Sequence, residues 1–378
     1  MSFFRHTFAS RLVVAMALIF SLQACASRPT EEILKPVAVA DSSERKITIL
    51  SATNRNLSAK SDDPVDMRSD KLTFEAFRFS IPKQRPTVGV VYPKPSPDPR
   101  KQFLVTERDP LDRPEFLREL ELSVDESGTI AVFVHGYNYS YQEAVYWTAQ
   151  LGADAGNVPP PVLFAWPSQG SLTGYVADRD EALASRTELT RLLELVSRAR
   201  GVKHIVLFAH SMGSLIAIEA VRQLQLEERQ DVSHKLEIYL AAADIDVDLF
   251  RSQLADIGRL PHPITLLVSK QDRALSFSSL LGQERPRVGQ ADVHDPRIAT
   301  IARDMNLRIF DITALKDSDG LGHDRYASLA KSSEELIQAE RSPAAPGHVG
   351  VIVFTAANKL LLDPIRVISA SHQRAGMQ

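Results

Sequence analysis

From residue 128 onward, short apolar runs alternate with stretches of helical rhythm. TIAVFVHG (129–136), PVLFAWP (161–167), HIVLFAHS (204–211), KLEIYLAAAD (235–244), PITLLVSKQD (263–272) and LRIFDIT (307–313) read as strands buried on both faces. Between them, apolar residues recur at helical spacing near Tyr141–Leu151, Asp178–Arg200, Ser214–Gln225 and Val247–Ile257. Upstream, Lys46–Ala52 and Leu72–Ile81 alternate as half-exposed strands do, and the proline-rich Tyr92–Pro99 reads as a surface loop. Strands separated by helices predict an α/β fold, with a mostly parallel sheet and helices on both faces. In such a sheet the chemistry gathers at the carboxyl ends of the strands. No phosphate-binding glycine motif and no repeat of 20 to 50 residues accompanies the pattern.

The segment HIVLFAHSMGSLIAIEA (204–220) is a strand, an abrupt turn and a helix with Ser211 at the apex. A serine on so sharp a turn is strained and exposed at the strand ends, and it needs small residues two before and two after. Ala209 and Gly213 supply them. The N–H of Met212 opens the helix, where aligned peptide dipoles favour a developing negative charge. The loop Val134-His135-Gly136-Tyr137-Asn138 is placed to supply a second oxyanion donor, the N–H of Tyr137, with Gly136 letting the backbone turn. A serine nucleophile also needs a base and an acid that orients it, in the chain order serine, carboxylate, histidine. Asp272 and His323 fit that order, with Asp244 the second choice for the acid; an alternative use of Asp272 is as a helix cap, and of His323 as an exposed loop residue. His294 precedes the last strand, and His135 and His210 suit packing or hydrogen bonding better than base catalysis.

The chain ends add an address. Arg5 and Arg11 precede the apolar stretch Leu12–Leu22, too short to span a bilayer, so residues 1–24 read as a signal peptide. Leu22-Gln23-Ala24-Cys25 is similar to a bacterial lipoprotein signal in which Cys25 is lipidated; cleavage after the A-x-A pattern at 24–26 is the alternative. Residues 26–45 read as a flexible tether with a root-mean-square span of about 25 Å. The catalytic domain is expected over 46–340, followed by a tail, 341–378. Within that tail Gly350–Ile368 is apolar but broken by Lys359, Asp363 and Arg366; it either packs on the domain or lies on a membrane surface.

Composition narrows the classes. A 378-residue chain with a net charge of −3 has no electrostatic attraction to nucleic acid. Its single cysteine excludes an intramolecular disulfide. No HExxH, CxxC or close histidine–carboxylate grouping along the sequence suggests a metal, and no cofactor is expected.

The segments VFVHGYNYSYQEAVYWTAQL, PVLFAWPSQGSLTGYVADRDEALASR, LFAHSMGS, AAADIDVDLF and VSKQDRAL, in this order, resemble the bacterial α/β-hydrolase proteins of the DUF900 family, over about residues 45–340. The resemblance implies the α/β-hydrolase fold and an esterase- or lipase-like activity. By position it assigns Ser211 as nucleophile, Asp272 as acid and His323 as base. Only about twenty residues separate the strands at Ile238 and Ile264, which leaves no room for a large lid. An open site that takes short or accessible esters, without interfacial activation, is expected. The expected function is therefore a serine hydrolase acting on small-molecule or lipid carboxylic esters, lipid-anchored to a bacterial membrane and facing the periplasm, or else soluble there or secreted. The alternative is a catalytically silent envelope lipoprotein that uses the fold as a binding or scaffold module.

Overall fold

The computed structural model describes residues 28–39, 45–57, 67–84, 89–156, 161–330 and 350–353. Ten strands form one sheet in the order β10-β9-β8-β7-β6-β4-β5-β1-β2-β3. They are β1 (Lys46–Arg55), β2 (Arg68–Ser80), β3 (Leu104–Leu111), β4 (Thr129–Val134), β5 (Val162–Ala165), β6 (His204–His210), β7 (Leu236–Ala241), β8 (Ile264–Val268), β9 (Leu307–Asp311) and β10 (Gly350–Val353). From β10 to β1 every neighbouring pair is parallel, whereas β2 and β3 extend one edge as antiparallel strands. This is the α/β-hydrolase arrangement, a mostly parallel sheet with helices on both faces.

The helices are α1 (Arg113–Ser123), α2 (Tyr141–Asp154), α3 (Tyr175–Ala184), α4 (Arg186–Ser197), α5 (Met212–Leu226), α6 (Gln230–Ser233), α7 (Val247–Ile257), α8 (Arg273–Leu281), α9 (Pro296–Asp304) and α10 (Ala327–Ala330). Strand side chains alternate between two cores, as the period of two requires. Val132 and Val134 join the core beneath α4, α5 and α7, while Phe133 between them joins the core beneath α2. Only α7 lies between β7 and β8, apart from loops, so no large lid is inserted there.

Three features depart from the sequence-based expectation. β3 and α1 are not marked by apolar alternation, because β3 is the outer edge strand and carries charge and Pro110, both of which an edge tolerates. α1 did have a local signal: Asp112 and Glu115 form a reciprocal capping box, with Pro114 in the first turn. The expected long helix over 178–200 is two helices that meet at Ser185, whose buried hydroxyl accepts from Asn54 Nδ2 at 2.9 Å.

The tether is corrected as well. Residues 28–37 pack against the domain: Leu34 is fully buried in the α2 core, Tyr146 Oη donates to Ile33 O at 2.8 Å, and Val37 N donates to Val105 O at 2.9 Å. Apolar Ile33 and Leu34 sit among polar neighbours, and their burial outweighs the disorder that the segment's composition favours. At the other end, residues 350–353 of the expected tail join the sheet beside β9. The signal peptide and Cys25 lie outside the described residues. Among the described residues, no helix is long and apolar enough to cross a membrane.

Candidate active site

Ser211 sits between β6 and α5 with φ 53° and ψ −124°, a conformation that costs a non-glycine residue of order 1–3 kcal/mol. Neighbouring backbone holds it there. Ser211 N donates to Ala241 O at 2.9 Å, and Ser211 O accepts from Asp244 N at 3.2 Å and Ser214 N at 3.0 Å. The demand for small residues is explicit at Gly213: a Cβ there would lie 2.4 Å from His135 O and 2.7 Å from Val134 O. Helix α5 can begin under the end of β4 only without a side chain at that position.

Asp272 and His323 meet although 51 positions separate them: His323 Nδ1 lies 2.7 Å from Asp272 Oδ2. The other carboxylate oxygen, Oδ1, accepts from Leu275 N at 2.9 Å and caps α8. Asp272 therefore meets His323 with one oxygen and caps a helix with the other. With its Nδ1 proton on the carboxylate, His323 has Nε2 left to accept a proton. Burial pulls this imidazole down, but the hydrogen bond and charge of Asp272, joined by the charges of Asp319 and Asp244, outweigh it and hold the ring above its ordinary pKa. Asp319 also braces the loop, accepting from Leu321 N at 2.8 Å, Gly322 N at 2.9 Å and His323 N at 3.2 Å.

His323 is brought to the elbow through His210, the residue before Ser211. Their ring centroids are 4.6 Å apart, and His210 Nε2 faces His323 O at 3.3 Å. Burial first, then the charge of His323, depress the His210 pKa well below the usual range, so this ring is neutral. The Ser211 side chain is almost fully covered, and its hydroxyl makes no hydrogen bond to another described residue.

The loop after β4 approaches from the other side. A Cβ on Gly136 would lie 2.9 Å from both Ser211 Cβ and His210 Nδ1, so glycine is needed for close approach. The positive φ expected of a turn-making glycine falls instead on Asn138, at 63°. Neither Tyr137 N nor Met212 N has an acceptor among the described residues, which leaves both free to donate. The loop is braced throughout: Arg28 Nη2 donates to Asn138 O and Oδ1, both at 2.8 Å, Arg28 Nη1 donates to Gly170 O, and Arg55 donates to Tyr139 O and Ser168 O. Buried Asp178 accepts from Gln169 N at 2.8 Å and Ser168 Oγ at 2.6 Å.

The model of a family described as "Alpha/beta hydrolase of unknown function (DUF900)" matches residues 115–340, more than half of the chain. The chain belongs to that family. No curated protein matches this DUF900 chain in sequence. Among solved structures, it is similar to the esterase Est22 with p-nitrophenol at 11% identity and TM-score 0.38, over 86% of this chain and 88% of that one. It is also similar to a serine-to-alanine mutant of Est22, at 11% identity and TM-score 0.35 over 87% of each chain. The siderophore hydrolase EstB from Aspergillus nidulans shows 14% identity and TM-score 0.26, over 85% of this chain and 90% of that one. Likenesses this distant do not bear on the chemistry of this chain.

In this DUF900 chain the second-choice acid, Asp244, is occupied elsewhere. Its carboxylate pairs with buried Arg287 at 3.2 Å and accepts from Tyr175 Oη at 2.9 Å and Ser278 Oγ at 2.6 Å, tying α3 and α8 to the end of β7. Sequence reading missed Arg28, Arg55, Asp178 and Asp319, because each acts on backbone that is remote or unmarked in sequence. It also found no histidine–carboxylate grouping, whereas folding brings the ligand atoms of His204, Glu237 and His262 within 4.8 Å of one another. These three lie at the amino ends of β6, β7 and β8, the edge of the sheet opposite Ser211.

Proposed function

We propose that this protein is a serine hydrolase that cleaves carboxylic esters through an acyl-enzyme. The observation that carries the reading is the 2.7 Å contact of His323 Nδ1 with Asp272 Oδ2, made against the elbow whose apex is the strained Ser211. In this reading His323 Nε2 takes the Ser211 proton as Oγ attacks the ester carbonyl. The N–H groups of Tyr137 and Met212 stabilise the oxyanion, and each such donor is worth about 10²–10³ in turnover. Protonated His323 then passes its proton to the departing alcohol, and a water molecule repeats the sequence to release the acid. Asp272 holds the ring in the working tautomer and stabilises its charged form.

Ser211→Ala should abolish hydrolysis of p-nitrophenyl butyrate and labelling by a fluorophosphonate probe while leaving the unfolding midpoint near that of the unsubstituted chain. Absence of labelling in the folded, unsubstituted protein would favour the silent scaffold instead. We further propose that Cys25 is acylated and that the mature chain begins there, facing the periplasm from a bacterial membrane; the supporting feature is Leu22-Gln23-Ala24-Cys25 behind a basic and apolar leader. Mass spectrometry of the mature N-terminus checks it, and an unmodified Cys25 rejects it.

A further inference from the structure

We infer that the catalytic edge of the sheet is a lipid-facing surface, which docks on a bilayer and takes amphiphilic esters from it; this rests on the hydrolase reading above and deepens it. Large apolar side chains are exposed on three separate segments that follow the carboxyl ends of β5, β8 and β9. Leu172 and Val176 flank Tyr175 at the start of α3, exposed by 59% and 71%. Phe277, Leu280 and Leu281 are exposed by 50% or more at the i, i+3, i+4 positions of α8, the helix capped by Asp272. Leu321 is exposed two residues before His323.

These segments share one rim. Arg273 N, in the first turn of α8, donates to Leu321 O at 2.9 Å, and Asp244 joins Tyr175 of α3 to Ser278 of α8. Isolated surface leucines need no explanation, whereas apolar side chains gathered round the mouth of a site mark what it meets.

The chain itself says what covers them. The described residues begin at Arg28, whose guanidinium is held on Asn138 and Gly170, at the same carboxyl edge. Just before it in sequence stands Cys25, the acylation site and first residue of the mature chain in the reading above. Cys25 precedes Arg28 by three residues, a length of chain that spans at most about 11 Å at about 3.6 Å per residue. A lipid group on Cys25 would therefore enter the bilayer beside the catalytic mouth. The packed segment 28–37 allows no 25 Å tether that could turn the domain away. Docking of this kind is not lid opening, so a soluble ester gains nothing from the surface, whereas an ester held in the bilayer is delivered by it.

The test uses the full mature chain in vesicles of phosphatidylethanolamine and phosphatidylglycerol, 3:1. An environment-sensitive fluorophore is attached at Leu280→Cys and, on the opposite edge, at Leu122→Cys, which is 82% exposed; the unsubstituted chain serves as the blank for Cys25. Spin-labelled lipid should quench position 280 and leave 122 unquenched. Phe277→Glu and Leu280→Glu should each raise KM for a vesicle-held long-chain p-nitrophenyl ester at least tenfold, with turnover of soluble p-nitrophenyl butyrate unchanged. Equal quenching at the two positions overturns the lipid face, as does shielding of 280 without quenching by lipid, which would mean a second copy covers it. Quenching at 280 in a chain that hydrolyses neither ester keeps the lipid face and overturns the hydrolase reading.

Discussion

Gly136→Ala tests whether the loop after β4 must touch the elbow. A Cβ built there lies 2.9 Å from Ser211 Cβ and 2.9 Å from His210 Nδ1, against an ordinary contact of 3.4–4 Å. Something must therefore move by about 0.5–1 Å to restore an ordinary contact. Ser211 cannot give way easily, since its amide and carbonyl are tied to Ala241, Asp244 and Ser214. His210 is held by Tyr326 and His323, each with its ring centroid 4.6 Å away. The displacement falls on the loop and, in the proposed mechanism, carries the Tyr137 N–H away from the oxyanion. A misplacement of this size costs about 10²-fold in turnover, and overpacking costs about 1–3 kcal/mol of stability. The expected outcome is a fall in kcat for p-nitrophenyl butyrate of about 10²-fold, with a folded protein and a lowered unfolding midpoint. Wild-type kcat in Gly136→Ala would refute the reasoning, because it would show that the loop's distance from Ser211 is immaterial.

A base must be neutral, and the pKa of His323 is raised, so kcat/KM should fall as pH drops through a value above the ordinary imidazole pKa of about 6.5. Asp272→Asn removes the largest raising interactions while burial persists; the inflection should move down and turnover should drop about 10³–10⁴-fold, both read from a pH–rate profile. Arg287→Leu leaves buried Asp244 without its cation and should destabilise the fold by about 3–5 kcal/mol, at the lower end if the Tyr175 and Ser278 hydroxyls remain on the carboxylate; urea unfolding measures it, and an unchanged midpoint contradicts it. Arg28→Ala frees Asn138 and Gly170 and should lower kcat about tenfold with little change in thermal midpoint, a split that a purely structural role would not produce.

What could be read in the sequence is what local sterics dictate. Apolar runs of four to seven residues, bounded by turns, fold as β4 to β9 because a strand buried on both faces needs apolar side chains on both. The elbow was legible for a similar reason: Ala209 and Gly213 frame Ser211 within five positions, and a Cβ at 213 would collide with the backbone of β4. Chain order narrowed the partners to Asp272 and His323 but left other uses open.

Tertiary structure decided the rest, because strand order and not sequence distance determines which groups meet. It put Asp272 Oδ2 on His323 while Oδ1 caps a helix, and it spent Asp244 on Arg287. It brought Arg28 to Gly170 across 142 positions and packed as a strap a segment whose composition reads as a tether. The strap's contacts, Arg28 on Gly170 O and Tyr146 on Ile33 O, end on remote backbone carbonyls, which every residue carries, so no pattern of residue types announces them.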